Sequence, residues 1–285
     1  MPAPDARALL AKYGLRAKKS WGQNFLVDER TYRAIVDACA LDDKSWVIEI
    51  GAGLGTLTAR LAERAAHVIA VERDRDMVAI LRAELGERER IEIAEANALT
   101  YDYAGVAERA GAAPSVVGNL PYQIASPILF RLLEARAHLS RMVVMLQREM
   151  AQRIVAAPST PEYGALGVMV RMYGEPRLVC RVPPSAFIPQ PRVESAVLRV
   201  VPFAGGATRA PVGDLERFSR VVHAAFQMRR KTLRNSLAGL ASDEQLRAAF
   251  AAATPGGIDP QRRGETLSVE EFAALTDAID AAAHA

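Results

Sequence analysis

A short polar and aromatic segment, Gly118-Asn119-Leu120-Pro121-Tyr122, follows a strand-like run in the middle of the chain. The Asn119 side-chain oxygen and the Leu120 main-chain oxygen are two acceptors that could hold both hydrogens of an aromatic amine. Such an amine is a poor nucleophile because its lone pair is delocalised, and two acceptors would pull the nitrogen towards a tetrahedral, nucleophilic form. The Tyr122 ring, rather than its hydroxyl, would stack on a base. The alternative is an ordinary turn with a buried tyrosine.

A glycine-rich segment, Glu49-Ile-Gly-Ala-Gly-Leu-Gly55, lies upstream and directly follows a short apolar run. Glycines at such a place let the backbone turn sharply and let a ligand approach main-chain atoms closely. Alone, this segment fits a dinucleotide, S-adenosylmethionine or no ligand at all. Its spacing disfavours NAD, because Gly55 follows Gly53 by two residues where the dinucleotide fingerprint requires three.

Two further polar residues follow strand-like runs and could complete a nucleoside site. Glu72 ends the run that begins at His67, and a carboxylate at this place can accept the two ribose hydroxyl hydrogens. Asn97 follows the run that begins at Ile91 and offers an oxygen to an adenine amino group. The alternatives are a solvated glutamate at a strand end and a turn asparagine.

Composition excludes several classes of protein. The 285 residues are 50% hydrophobic, which suffices for a core. Only two cysteines occur, Cys39 and Cys180, so neither a disulfide scaffold nor a CxxC metal site is expected. The four histidines are scattered, and no metal site is predicted. No apolar run reaches the roughly 18 residues of a membrane helix, and the N-terminus lacks the apolar core of a secretory signal. We therefore expect a cytoplasmic protein.

The pattern of elements changes along the chain. The first 200 residues or so alternate strand-like and helix-like patterns, which predicts an α/β fold with a mainly parallel sheet covered on both faces. A flexible glycine-containing segment lies between Phe203 and Pro211, and only helical patterns follow it. We predict two domains, 1–203 and 204–285. The helices expected in the second are Leu215–Leu240, Asp243–Ala252 and Val269–Ala282.

Positive charge is concentrated in the predicted second domain. Between Arg217 and Ser242 there are six basic residues and no acidic one. Such a helix can lie on an RNA backbone, with an affinity that falls steeply with salt. The alternative is a solvated helix face. The residues that we expect to bind RNA are Arg229, Arg230, Lys231 and Arg234.

Six segments, in this order, resemble the small-subunit ribosomal RNA adenine dimethyltransferases. The resemblance covers roughly residues 10 to 280. Four residues depart from the usual pattern of the family: Trp21 replaces a leucine, Asn97 an aspartate, Gln190 a proline and Glu194 an aspartate. None of these changes removes a group that the chemistry needs, although the loss of charge at Asn97 could alter cofactor affinity. The six segments are Lys19–Leu26, Glu49–Gly55, Asn119–Tyr122, Phe187–Ser195, Phe226–Leu233 and Arg263–Ser268.

This resemblance implies a fold, an activity and a set of partners. The fold would be a Rossmann-like class I methyltransferase domain with a seven-stranded sheet, followed by a small all-α C-terminal domain that binds RNA or the ribosome. The activity would be transfer of methyl groups from S-adenosyl-L-methionine to N6 of two adjacent adenines. These adenines lie in the 3′-terminal hairpin loop of 16S rRNA within the assembling small ribosomal subunit. The enzyme would act late in assembly, and we expect a monomer with no membrane partner.

The resemblance also implies roles for individual residues. Asn119 would hold both the cofactor and the target amine, and Leu120 would supply the second acceptor. Phe187 would stack on the target base opposite Tyr122. The residues implied to bind the cofactor are Asn24, Leu26, Gly51, Gly53, Glu72, Asn97 and Asn119.

Three other functions remain open from the sequence. A large-subunit rRNA methyltransferase of the macrolide-resistance type shares the glycine segment and the tetrapeptide Asn119–Tyr122. The C-terminal segments favour the small-subunit enzyme instead. A mitochondrial transcription-factor paralogue would keep the fold, yet residues 1–15 contain Asp5 and lack the serines of a transit peptide. An NAD-dependent enzyme is disfavoured by the glycine spacing.

Overall fold

The computed structural model of the chain describes residues 4–15, 23–228 and 230–284. They divide into two compact units, the first formed by residues 1–151 and 176–206 and the second by residues 152–175 and 207–285. The sequence placed a single boundary at 203/204 and assigned residues 152–175 to the first part. In the structure the helix Ala165–Tyr173 packs against two of the helices that follow residue 207, which is why this segment joins the second unit.

The strands form two sheets. Seven of them make one sheet in the order β4-β3-β2-β5-β6-β9-β7, and β1 pairs with β8 in a separate two-stranded sheet. The seven-stranded sheet confirms the predicted number of strands. In the part of the chain that the structure describes, the nine strands are β1 Phe25–Leu26, β2 Trp46–Ile50, β3 His67–Glu72, β4 Ile91–Glu95, β5 Ser115–Asn119, β6 Arg141–Gln147, β7 Gly174–Val182, β8 Phe187–Ile188 and β9 Ser195–Pro202.

The central strands of the large sheet are parallel, as predicted. β2 pairs in parallel with β3 and β5, β3 with β4, and β5 with β6, whereas β6 and β9 are antiparallel. Val47, Ile48 and Val117 are completely buried, as expected for strands that are covered on both faces. The parallel direction brings the carboxyl ends of β2, β3, β4 and β5 to the same edge of the sheet.

Among the described residues, seven helices lie between or beside these strands. Several begin at an aspartate whose side chain accepts a main-chain N–H: Asp28 accepts from Thr31, and Asp74 from Asp76. Such caps satisfy the otherwise unpaired amides of a first turn. The helices are α1 Ala6–Lys12, α2 Glu29–Cys39, α3 Thr56–Ala62, α4 Arg75–Leu85, α5 Tyr103–Ala110, α6 Ala125–Glu134 and α7 Arg148–Val155.

Helices alone make up the regular structure that is described after residue 207. Their core includes the aromatic rings of Tyr163, Phe226 and Phe272, and the Tyr163 hydroxyl donates to the Leu267 carbonyl oxygen at 2.9 Å. No helix among the described residues is long and apolar enough to cross a membrane. The helices of the second unit are α8 Ala165–Tyr173, α9 Leu215–Gln227, α10 Leu233–Leu237, α11 Asp243–Ala252 and α12 Val269–His284.

One predicted helix is wrong in its extent. The sequence predicts a single helix over Leu215–Leu240, but α9 ends at Gln227 and α10 begins at Leu233. Met228 leaves the helical region of backbone space with φ −131° and ψ 87°, and Thr232 is extended with φ −69° and ψ 160°. The Leu233 amide then donates to the Arg262 carbonyl oxygen, so tertiary contact competes with helix continuation here.

Candidate active site

A pocket in the first unit lies at the carboxyl edge of the parallel strands. It is lined by the glycine segment at the end of β2, by Glu72 at the end of β3, by Asn24 and Leu26 of the N-terminal segment, and by the tetrapeptide Asn119–Tyr122 at the end of β5. A second pocket shares Gly51, Glu72 and Pro121 with it and extends past Asn97. The sequence-predicted cofactor residues therefore all line one of two adjoining pockets.

The glycine segment has the left-handed backbone that its composition allows. Gly51, Gly53 and Gly55 have φ of 70°, 54° and 75°, a region that other residues rarely adopt. At Gly55 a Cβ atom would lie 2.5 Å from the end of the Leu85 side chain of α4, so a larger residue there would have to displace that side chain. At Gly51 the nearest atom to a Cβ would be the Asn119 main-chain oxygen at 3.7 Å. The turn thus passes directly beside the tetrapeptide.

The Glu72 carboxylate is held by main-chain amides. Its Oε2 accepts from Gly53 N at 2.9 Å, and its Oε1 accepts from Arg73 N at 2.7 Å and Asp74 N at 2.8 Å. The Gly53 bond ties the end of β3 to the glycine segment, and the other two bonds lie within the turn that follows β3. They fix the carboxylate at the junction of the two pockets, while each oxygen keeps capacity to accept from a ligand.

Glu49 is a buried acid for which the sequence analysis assigned no role. It is 2% exposed, lines the first pocket, and accepts a hydrogen bond from the Thr58 hydroxyl at 2.5 Å. Burial raises the pKa of this carboxyl to about 8, against the opposing effect of the Thr58 bond, so the protonated form dominates at neutral pH. The sequence does carry a signal for Glu49, because it is an acidic residue within an otherwise apolar strand.

The orientation of the Asn119 amide is set by the N-terminal segment. Its Nδ2 donates to the Asn24 main-chain oxygen at 3.0 Å. Because a carbonyl can only accept, this contact assigns the nitrogen to the Asn24 side and leaves Oδ1 as the acceptor for another group. The next residue, Leu120, has a buried side chain, and its amide donates to the Met145 carbonyl oxygen of β6 at 3.2 Å. The backbone that carries both predicted acceptors is therefore fixed.

Tyr122 begins a short 3-10 turn, Tyr122–Ile124, and lines the same pocket as Asn119. Its ring is half-buried, and its hydroxyl lies 2.6 Å from the Ser195 hydroxyl. Burial raises the pKa of the Tyr122 phenol above its usual value, and the Ser195 bond opposes that shift. Ser195 ends the segment Phe187–Ser195, one of the six that carry the family resemblance, but its residue type alone did not indicate a role in the site.

Phe187 does not present an exposed ring. It is 1% exposed and lies in β8 opposite Leu26 of β1, within a cluster of buried side chains that includes Tyr32 and Val182. It is not among the residues that line the pocket. The expectation that Phe187 stacks on a target base does not agree with this conformation, in which the apolar ring packs in the core and supports the strand that carries Leu26.

Asn97 already uses its side-chain oxygen. Oδ1 accepts from Leu99 N at 3.1 Å, the short turn that asparagine commonly makes two residues on. The two interpretations of Asn97 from the sequence are therefore compatible: it is a turn asparagine, and it also lines the second pocket. The turn assigns the oxygen to Leu99 and leaves the amide nitrogen as the other polar group of this side chain.

The predicted RNA-binding residues differ in their surroundings. Arg229 lies outside the described residues. Arg230 and Lys231 are exposed, whereas Arg234 is exposed but pairs with Asp243 at 2.6 Å. The segment from Arg217 to Ser242 contains no acidic residue, and Asp243 of α11 supplies the partner of Arg234. Among the described residues, no group of three or more His, Cys, Asp or Glu side chains could hold a metal ion.

Comparison with known proteins gives a consistent result. The chain is 51% identical to the ribosomal RNA small subunit methyltransferase A of Anaeromyxobacter dehalogenans (strain 2CP-C), over 97% of this chain and 98% of that protein. It is 49% identical to the protein of the same name from Myxococcus xanthus (strain DK1622), over 96% and 94%.

Solved structures agree on the fold. A dimethyladenosine transferase from Plasmodium falciparum superposes with a TM-score of 0.70 at 23% identity, over 88% of this chain and 95% of that one. The 23S rRNA methyltransferase ErmE gives 0.67 at 28% identity, over 90% and 100%. The family model described as ribosomal RNA adenine dimethylase matches residues 14–281. The chain therefore belongs to the ribosomal RNA adenine dimethylase family.

Proposed function

We propose that this protein transfers methyl groups from S-adenosyl-L-methionine to N6 of two adjacent adenines in the 3′-terminal hairpin loop of 16S rRNA. It would do so in the cytoplasm, as a monomer, on the assembling small ribosomal subunit. The observation that carries this proposal is the fixed amide of Asn119, whose nitrogen is bound to Asn24 and whose oxygen is left as an acceptor in the pocket. The names of relatives at about half identity support the choice of the small subunit.

The pocket fits the cofactor by the chemistry of its donors and acceptors. The left-handed glycines let a ligand approach the main chain, beside which the methionine part would lie. Glu72, held by three amides, would accept from the ribose hydroxyls. Asn97 lines the neighbouring pocket, where the adenine ring would lie. Asn24 and Leu26 close the first pocket from the N-terminal side.

The chemistry requires activation of a weak amine more than it requires a base. The cofactor supplies an electrophilic methyl group on a sulfonium. Asn119 Oδ1 and the Leu120 main-chain oxygen would accept the two amine hydrogens and favour the tetrahedral form of the nitrogen. Because this form develops in the transition state, the preorganised acceptors stabilise that state more than the ground state. The proton that methylation makes acidic can leave to water, and Tyr122 would stack on the base.

RNA binding is assigned to the exposed basic residues between α9 and α10. Arg230 and Lys231 are exposed, and Arg229 stands beside them in the sequence. Contacts of such side chains with phosphates release counterions and give a strong dependence on salt. Arg234 is the weaker candidate, because Asp243 neutralises it.

The proposal is tested on ribosomal RNA from a strain that lacks the gene and from the same strain complemented with it. We expect mass spectrometry to show that dimethyladenosine in the 16S 3′-terminal hairpin is absent from the first and restored in the second. Unchanged 16S modification would overturn the proposal. Loss of an adenine methylation in 23S rRNA instead would assign the protein to the large-subunit type of the macrolide-resistance enzymes.

A further inference from the structure

Ser195 reaches the tyrosine of the tetrapeptide from another strand of the sheet. Its hydroxyl lies 2.6 Å from the Tyr122 hydroxyl, although 73 residues separate the two in the chain. Ser195 is completely buried. Tyr122 is the only hydrogen-bond partner of this hydroxyl among residues 4–15, 23–228 and 230–284. An apolar residue would fill the same place without a polar group that must be hydrogen-bonded. The presence of a serine at this position therefore calls for a functional explanation.

The backbone around Ser195 is hydrogen-bonded to the end of β6. Ser195 opens β9 and lies opposite Gln147, the last residue of β6, in an antiparallel pair. The carbonyl oxygen of the preceding residue, Glu194, accepts from Arg148 N at 2.9 Å. The main chain that carries the Ser195 hydroxyl is therefore anchored at the carboxyl end of β6.

A tyrosine ring that serves as a stacking face must keep its place in the pocket. Its Cα is held by the turn at Tyr122–Ile124, but the torsion about Cα–Cβ still decides in which direction the ring points. A hydrogen bond at the phenol oxygen fixes the ring at its far end as well. The Tyr122 hydroxyl thus has a role in addition to the stacking by the ring. This revises the sequence-based expectation that only the ring matters.

We infer that Ser195 is a positioning residue for methyl transfer, which acts by holding the far end of the Tyr122 ring in place against the target base. This inference rests on the proposed function, because it assigns the ring to the base. It predicts that Ser195 contributes to the rate only through the Tyr122 hydroxyl. Removing either hydroxyl should then have the same effect, and removing both should have no more effect than removing one.

The test is a double-mutant cycle on single-turnover methyl transfer to undermethylated small subunits, at saturating cofactor. We expect Ser195→Ala and Tyr122→Phe each to lower the rate by roughly 3- to 10-fold, the loss that corresponds to about one hydrogen bond. Adding Ser195→Ala to Tyr122→Phe should change the rate by less than about 2-fold, because coupled residues are not additive. Cofactor affinity should stay unchanged in all three variants.

A matched control is available at the other end of the sheet. Ser115 opens β5, is 5% exposed, and its hydroxyl contacts that of Ser140 at 3.1 Å. Ser115→Ala removes an equivalent buried hydroxyl far along the same sheet from the pocket, and we expect the wild-type rate. If Ser195→Ala lowers the rate equally in the wild type and in the Tyr122→Phe variant, or in neither, the inference is overturned.

A second readout separates this inference from the proposed function. Protein that contains 3-fluorotyrosine gives one fluorine resonance for each tyrosine environment, and Tyr122→Phe identifies the signal of residue 122. Ser195→Ala should shift or average that signal and leave the others in place, with no RNA present. An unmoved signal would overturn the positioning role even if methyl transfer is found. A moved signal in a protein that methylates no adenine would uphold the contact and reject the proposed function.

Discussion

The Asn119 side chain donates its amide hydrogen to the main-chain oxygen of Asn24, at a distance of 3.0 Å and across 95 residues of sequence. The contact joins the N-terminal segment to the end of β5. It also decides which atom of the amide remains an acceptor in the pocket. The position of a segment early in the chain is thereby linked to the orientation of the group that we assign to the target amine.

This link predicts the effect of Asn119→Asp. An ionised aspartate cannot donate and would face the Asn24 carbonyl oxygen with a negative charge. We expect the segment around Asn24 to lose protection in amide hydrogen exchange, and methyl transfer to slow. Unchanged protection of residues 23–27 would mean that the contact does not hold the segment.

Glu72→Ala should weaken the binding of S-adenosylmethionine by roughly 1–3 kcal/mol, because the ribose hydroxyls lose a charged acceptor. Isothermal titration calorimetry measures this directly. Glu95→Ala is the matched control, because Glu95 lies opposite Glu72 at the end of the neighbouring strand but lines neither pocket. Equal affinities in the wild type and the Glu72 variant would remove this carboxylate from the cofactor site.

Asn97→Asp tests the second pocket. The aspartate can still accept from Leu99 N and keeps a second, charged oxygen where the asparagine has its amide nitrogen. If the adenine amino group lies there, we expect cofactor affinity to rise by about 1 kcal/mol, the difference between a charged and a neutral hydrogen bond. Equal or weaker binding in calorimetry would show that the amide nitrogen of Asn97 already suits the ligand.

Glu49 should make stability depend on pH. Its pKa in the folded protein is raised from 4.5 to about 8, so between these values the folded state binds more protons than the unfolded state. Stability must then fall as pH rises through this window, by at most about 1.4 kcal/mol per pH unit. Urea unfolding at pH 5.5, 6.5 and 7.5 should show a smaller decrease for Glu49→Gln than for the wild type. Parallel curves for the two proteins would mean that Glu49 is charged when folded.

The exposed basic residues should act on binding rather than on chemistry. We expect the triple change of Arg229, Arg230 and Lys231 to Ala to weaken RNA binding and to reduce its salt slope by up to about 0.9 for each lost phosphate contact. The control variant removes three exposed charges of the first unit, Lys44, Arg82 and Arg90. Filter binding at several salt concentrations should leave this control near the wild type. If both triple variants behave alike, net charge alone accounts for the effect.

The fold was predictable because its strands are short, apolar runs that end at glycine or polar residues. β3 coincides with the expected run from His67 to Glu72, since strands buried on both faces leave little ambiguity in sequence. The break after α9 was not predictable in the same way. Nothing in the local pattern shows that the Leu233 amide binds Arg262.

The same difference between local and long-range information applies to the site. The residue types at Glu72 and Asn119 indicate their chemistry because each is the last residue of a strand at the binding edge. Long-range contacts had no local signal: Asp243 neutralises Arg234, and Ser195 binds the Tyr122 hydroxyl. The burial of Phe187 in the β1–β8 pair likewise depends on packing that no motif shows.

The rate of a single methyl transfer by Asn119→Ala tests the central claim most directly. Labelled methyl groups are followed from S-adenosylmethionine to undermethylated small subunits, with cofactor and subunits both at saturating concentrations. Loss of one preorganised acceptor at a comparable site costs on the order of 10²–10³ in rate, and we expect a loss of that size with RNA binding retained. Transfer at the wild-type rate would contradict the account, because the tetrapeptide would then take no part in the reaction.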